Sequence, residues 1–219
     1  MTLLIACGLK REARLLHRPG GNIFVVAGGG DATRLERELD VLATTRPGVV
    51  LSCGIAGALV PALRSGDVIV DGDAVLVAHV LERLPEAISG KIFGSDAIVA
   101  TAAEKRGLAE RTGAIAADME SHIARRVAER RQLPLAAIRV IADCVDDDLP
   151  PAALVGMRPD GGLALGPVLQ SLAVRPGQLP ALIRTGRQAD QALRSLSQAF
   201  EKLVGAGFDR IEPISLQAP

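Results

Sequence analysis

The run LAAIRVIA over residues 135–142 constrains this chain most: apolar residues flank a single cation, Arg139, and the run ends on Asp143. A stretch without polar alternation fits a strand covered on both faces, as in sheets sandwiched between helices. Asp143 is thereby delivered to a strand's C-terminal edge, where open α/β sheets place their ligands. Just upstream, ADMES over 117–121 reads as an acidic-Met-acidic turn at a helix start.

Around this core the pattern alternates. Strands are expected at 3–7, 23–27, 49–53, 114–117 and 135–142, with a long strand region over 67–81 and a short strand near 91–93. Helices are expected at 10–17, 31–45, 101–111 and 120–131. After Asp146 the chain turns Pro- and Gly-rich, and only 179–204 carries a convincing helical pattern. Alternation of this kind predicts a single-domain three-layer α/β/α fold with a mixed, largely parallel central sheet. The domain is drawn over 1–205, and 206–219 is read as a loosely held tail.

Composition removes several classes of function. At 219 residues, 48% of them hydrophobic, the chain can bury one large core. Its 25 basic and 25 acidic residues cancel, so no net field recruits nucleic acid or anionic lipid. The N-terminal TLLIAC run lacks a basic leader and a cleavage site, and no apolar stretch is long enough to span a bilayer; a cytoplasmic protein without stable membrane insertion is expected. Cys7, Cys53 and Cys144 show no CxxC spacing, which argues against a disulfide frame or a zinc site and for reduced packing residues. Each stands at an expected strand end, so a shared pocket rim is the alternative. The Asp146–Asp148 run lacks a partner at ligand spacing and reads as a solvated loop, and no metal is assigned.

Four glycine-bearing loops are expected after strands: Gly8 before LKREARLL, Gly28–Gly30 before Asp31, Gly54 and Gly57 in CGIAGAL, and Gly94 before SDAIVA. Each lets backbone N–H groups approach a ligand closely. Neither GxGxxG nor the Walker Lys-Ser/Thr pair is present, so dinucleotide and nucleoside triphosphate readings lose ground.

Five segments in order, GLKREA, SCGIAGALVPALRSGDVIV, GSDAIV, ADMES and LPLAAIRVIAD, resemble the purine nucleoside phosphorylase and nucleosidase superfamily, closest to the methylthioadenosine/S-adenosylhomocysteine nucleosidase branch. More narrowly, DMESHIA, LPPAAL and RPGQLPALI resemble the hopanoid-associated phosphorylases, proposed to remove adenine from adenosylhopane. The resemblance implies a nucleoside phosphorylase-like fold and cleavage of an N-glycosidic bond. It implies a small-molecule purine nucleoside, hopanoid-linked in the narrower case, as the partner, and a homo-oligomer as the assembly. No cofactor is implied beyond inorganic phosphate as co-substrate if cleavage is phosphorolytic.

Breaking a ribose–purine bond puts positive charge on the sugar and negative charge on the base. By resemblance Asp143 is the acid at purine N7, and burial would raise its pKa toward neutrality; a helix cap or an Arg partner is its structural alternative. Glu120 matches the acceptor of the ribose hydroxyls and Met119 the thioether against the sugar, although Asp118 and Glu120 also suit a helix start and Met119 a core. Ile98 and Val99 match the segment reading the purine edge. Ile98 stands where the family commonly has an aromatic, so stacking falls to Phe93 or to aliphatic side chains. Gly54 and Ile55 are also assigned to the substrate.

Glu12 falls where the nucleosidase branch holds its water-activating carboxylate. Phosphorolysis would instead draw on Gly8, Gly28 and Ser52, yet Ser52 and Ile55 stand where phosphorylases of the bacterial hexameric type carry Arg and Ser, which favours hydrolysis. Methylthioadenosine/S-adenosylhomocysteine nucleosidase and general purine nucleoside phosphorylase are the enzymatic alternatives, and a nucleoside-binding scaffold is the non-enzymatic one.

Overall fold

The first strand shows how the layers arise. The structure, a computed structural model, describes residues 2–19, 21–155 and 164–210. In β1 (Leu3–Cys7) every residue is buried. Leu3, Ile5 and Cys7 join one core and Leu4 and Ala6 the other, as a two-residue period requires. The first core is covered by α1 (Lys10–Leu16), α3 (Ala74–Arg83) and α8 (Leu179–Gly205). The second lies under α2 (Ala32–Thr45) and α5 (Ser121–Arg131). The fold is the expected three-layer α/β/α arrangement.

Among the described residues the sheet runs β2 (Ile23–Ala27), β1, β3 (Val49–Ala58), β8 (Leu135–Asp143), β4 (Val68–Gly72), β5 (Ile88–Ser89). The pairs β1/β2, β1/β3, β3/β8 and β4/β5 are parallel and β4/β8 is antiparallel. β3 outruns β1, and its free end pairs antiparallel with β7 (Ala116–Asp118), which pairs parallel with β6 (Ile92–Gly94). Carboxylates at the ends of β7 and β8 therefore flank the same stretch of β3.

Several expectations need correction. Residues 67–81 are not one strand: β4 ends at Gly72 and α3 follows, with Leu76 and Val80 one helical turn apart in the core. Gly72 makes the break, at φ 135°, where a Cβ would strike the backbone of Leu135 and Ala136. β3 continues to Ala58, so Cys53, Gly54 and Gly57 are strand residues rather than a strand end and a loop. Cys7 and Cys53 are buried, and burial pushes the Cys53 thiol up to about 12, so both are inert packing residues. The late chain holds more helix than 179–204, namely α6 (Pro151–Leu154) and α7 (Leu165–Val174). The core also passes position 205, since Phe208 is buried against it, whereas 211–219 of the expected tail lie outside the described residues.

The Asp146–Asp148 loop is tied down rather than simply solvated. Asp146 pairs with Arg106, Asp147 accepts from the Cys144 amide and Gln188 Nε2, both at 3.0 Å, and Asp148 accepts from the Ala102 amide at 2.7 Å. Among the described residues no group of His, Cys, Asp or Glu could hold a metal ion, and no helix is long and apolar enough to cross a membrane.

Candidate active site

Arg139 organises the site. It lies on β8 opposite Gly54 of β3, with no surface exposed. Its guanidinium ion-pairs with Asp118 through Nε and Nη2, Nη2 donates to Ser52 Oγ at 2.7 Å, and Glu120 Oε2 lies 3.8 Å away. Asp118 is equally buried and does a second job: Oδ2 accepts from the Ser121 amide at 3.0 Å and Oδ1 from the Ser121 hydroxyl at 2.5 Å. Asp118 thus fastens the α5 N-terminus, and Glu120, at the cap position, makes no side-chain cap bond.

Glu12 enters from α1. Its carboxylate reaches back to the start of its own helix, where Oε2 accepts from the Gly8 and Leu9 amides at 2.9 and 2.7 Å. Oε1 accepts from the Ile55 amide of β3 at 2.9 Å. Gly54 makes the approach feasible, since a Cβ there would stand 2.7 Å from Glu12 Oε1 and 3.3 Å from Arg139 Nη1. Gly8 does the same for Glu120, whose carboxylate would collide with a side chain at that position.

Three carboxylates thus share one guanidinium, and the imbalance holds protons. Burial pushes Glu120 up to about 8; Arg139 opposes the shift, and Glu12 and Asp118 add to it by repulsion. Burial also raises Glu12, against its backbone donors and Arg139. A carboxyl whose folded pKa exceeds its unfolded value stabilises the fold fully below the unfolded value and ceases to do so as pH rises through the folded one. Stability should therefore fall by roughly 3 kcal/mol between pH 5 and 8.5 on account of Glu120. Denaturant titrations across that range should show a smaller loss in Glu120→Gln than in the parent, with Glu12 and Asp143 supplying the remainder.

Asp143 ends β8 opposite Gly57, and a Cβ on Gly57 would stand 3.1 Å from its Oδ2. Its partner is neither of the alternatives read from sequence. The ammonium of Lys105, on α4 (Ala102–Thr112), lies 2.5 Å from Oδ2, off the direction of a regular hydrogen bond. Burial raises the pKa of Asp143 and the lysine holds it down.

Register places the remaining residues. Phe93 of β6 faces Ala117 of β7, Ala117 faces Gly57 of β3, and Gly57 faces Asp143. Paired residues share a face, so Phe93 and Asp143 stand at the two ends of a row whose middle positions carry only a methyl group and a hydrogen. Val99 and Phe93 both pack against the cluster that holds Leu108 of α4, and Ile98 is half-buried in the loop between β6 and α4. Met119 and Glu120 line a small cleft of about 40 Å³ with Gly28, Asp31, Asp96 and Ile123.

The expected phosphate ligands are engaged elsewhere: the Gly8 amide on Glu12, the Gly28 amide on the Cys7 carbonyl at 2.9 Å, and the Ser52 hydroxyl on Arg139. Lys105, Arg139 and the Asp118 pairing went unassigned in the sequence. One signal was present, because a lone Arg in an apolar strand requires a buried anion and ADMES supplies two carboxylates.

Residues 71–155 match the sequence profile of the phosphorylase superfamily. No curated protein matches the chain in sequence. Among solved structures, the methylthioadenosine/S-adenosylhomocysteine nucleosidase of Neisseria meningitidis superposes with a TM-score of 0.70 at 13% identity, covering 94% of this chain and 99% of that one. The S-adenosylhomocysteine nucleosidase of Streptococcus pyogenes gives 0.68 at 15% identity, over 94% and 97%. Futalosine hydrolase of Helicobacter pylori gives 0.66 at 16%, over 94% and 98%. These likenesses establish the fold, a nucleosidase-like α/β/α arrangement, and the stretch 71–155 within it is similar in sequence to the phosphorylase superfamily.

Proposed function

We propose that the protein hydrolyses the N-glycosidic bond of a purine nucleoside. The observation that carries this reading is the convergence on one strand, β3, of a buried base candidate and an acid candidate: Glu12 against Gly54–Ile55 and Asp143 against Gly57. The Phe93–Asp143 row is flat between its ends, which suits a purine ring presenting N7 to Asp143. Asp143 transfers its proton to N7 as the C1′–N9 bond breaks and its electrons pass to the base. Water adds its oxygen to C1′ and gives its proton to Glu12. Glu120 and Met119 hold the sugar, and a carboxyl poised near neutrality can both accept from and donate to ribose hydroxyls.

Water is favoured over phosphate because the expected phosphate ligands are occupied inside the protein. Glu12→Gln should then cut kcat by about 10²–10³-fold with little change in KM, since a missing base acts only in the transition state; an unchanged kcat would remove Glu12 from the mechanism.

Adenosylhopane is the substrate that the narrower resemblance favours, with methylthioadenosine, S-adenosylhomocysteine and adenosine as competitors. Adenine release from each by purified protein decides: selectivity for the hopanoid supports the narrow reading, equal turnover of all four reduces the protein to a general nucleosidase, and no turnover leaves a binding role. The reading also takes the protein to be cytoplasmic and a homo-oligomer. Leu165 and Leu169 on α7 and Leu179 and Ile183 on α8 are exposed apolar pairs one turn apart, the kind of surface a second copy covers. Light scattering should give a mass above 22.8 kDa, falling toward it in Leu165→Asp/Leu169→Asp.

A further inference from the structure

Lys105 is a buried cation that the proposed reaction does not use. It sits in the first turn of α4, behind the Thr101–Glu104 capping box, with no surface exposed. Its ammonium lies 2.5 Å from Asp143 Oδ2, 2.9 Å from the Cys144 carbonyl and 2.7 Å from the Asp147 carbonyl. Two of its three donors go to the carbonyls, and the Asp143 carboxyl stands beside the ammonium as an ion-pair partner. Stripping water from a lysine costs several kcal/mol, and carbonyl contacts alone repay little of it. The carboxylate is the partner that makes the burial tolerable, and the two carbonyls aim the ammonium by fixing the loop that follows Asp143.

We propose that Lys105 is a positioning residue for base cleavage: it anchors the Asp143 carboxyl at the β8 edge and governs the pH at which that carboxyl gives up its proton. The inference rests on the reading of Asp143 as the purine-side acid. When Asp143 hands its proton to N7 as the C1′–N9 bond breaks, the carboxylate left behind forms a full ion pair with Lys105, and Asp143 recovers a proton from solvent after the base departs. The lysine thus stabilises the acid's product form and limits the pKa rise that burial imposes. Without it Asp143 would hold its proton to higher pH and transfer it less readily, because proton transfer is favoured when the donor's affinity sits near the working pH.

The test titrates the Asp143 carboxyl by ¹³C NMR in aspartate-labelled protein, its resonance identified by its loss in Asp143→Asn. It compares the parent, Lys105→Met, Lys105→Arg and the surface control Arg106→Met. Lys105→Met is expected to raise the Asp143 midpoint by about one unit or more. It should lower kcat by about 10–100-fold with KM changed less than about 3-fold, and move the alkaline limb of the kcat profile upward with the midpoint. Lys105→Arg should restore most of both, and Arg106→Met should alter neither. An Asp143 midpoint unmoved in Lys105→Met overturns the proposal, as does a kcat loss that follows only the folded fraction. If Lys105→Met does not fold, Lys105→Gln takes its place, and failure of both to fold assigns the lysine to stability alone and overturns the proposal. If the parent releases no base from any nucleoside, the functional reading fails, while the titration still decides whether Lys105 controls Asp143.

Discussion

Asp143→Asn should lower kcat on purine nucleosides by about 10²–10⁴-fold while leaving the binding of free adenine measurable. The substitution keeps the shape at the end of β8 and the close approach to Gly57, and it removes the transferable proton. It also deprives Lys105 of its carboxylate partner, which adds a structural loss to the chemical one. The comparison that separates the two uses a nucleoside whose base leaves without help. A substrate with an already acidic leaving group should lose far less than adenosine, because protonation of N7 is then dispensable. Equal losses on both substrates would mean that Asp143 organises the loop and does not act as the acid.

Arg139→Met should destabilise the fold by about 3–5 kcal/mol, the usual consequence of removing one partner from a buried ion pair. The guanidinium is the counter-charge for the fully buried Asp118 carboxylate and lies 3.8 Å from Glu120. Met fills similar volume, so the loss reports charge more than cavity. Arg139→Met/Asp118→Leu should regain much of the stability, because an apolar pair can replace a buried ion pair at little cost. The recovery should stop about 1 kcal/mol short, since Asp118 also holds the first turn of α5 through Ser121. Urea midpoints of the parent, both single variants and the double variant measure this directly. A double variant no better than Arg139→Met would mean that Arg139 stabilises the fold mainly through Glu12, Glu120 and Ser52.

What could be read from the sequence follows the range of the interactions involved. Strands β1 and β8 were legible because buried strands are continuous apolar runs bounded by glycine or a charge, and α2 and α5 because their apolar residues recur at helical spacing. α3 was read as strand because AVLVAHVLER is apolar on too many positions to show its period, and the Gly72–Asp73 break before it was passed over. CGIAGAL was read as a loop because glycine weakens strand signals. In the fold those glycines are strand residues whose missing side chains make room for the Glu12 and Asp143 carboxylates. The candidate residues Glu12, Glu120 and Asp143 came from resemblance, and their electrostatics could not. Arg139 meets Asp118 across 21 positions, and Lys105 of α4 meets Asp143 at the end of β8 with β7 and α5 in between, so neither pairing leaves a local pattern.

The central claim is that water, activated beside Glu12, attacks C1′ while the base leaves toward Asp143. Cleavage of a purine nucleoside in ¹⁸O-water, in the presence of inorganic phosphate, tests it most directly. The account predicts free adenine and free sugar in equal amounts, with one ¹⁸O at C1 of the sugar and a rate independent of phosphate. A sugar 1-phosphate carrying no label, or a rate that rises with phosphate concentration, would contradict it.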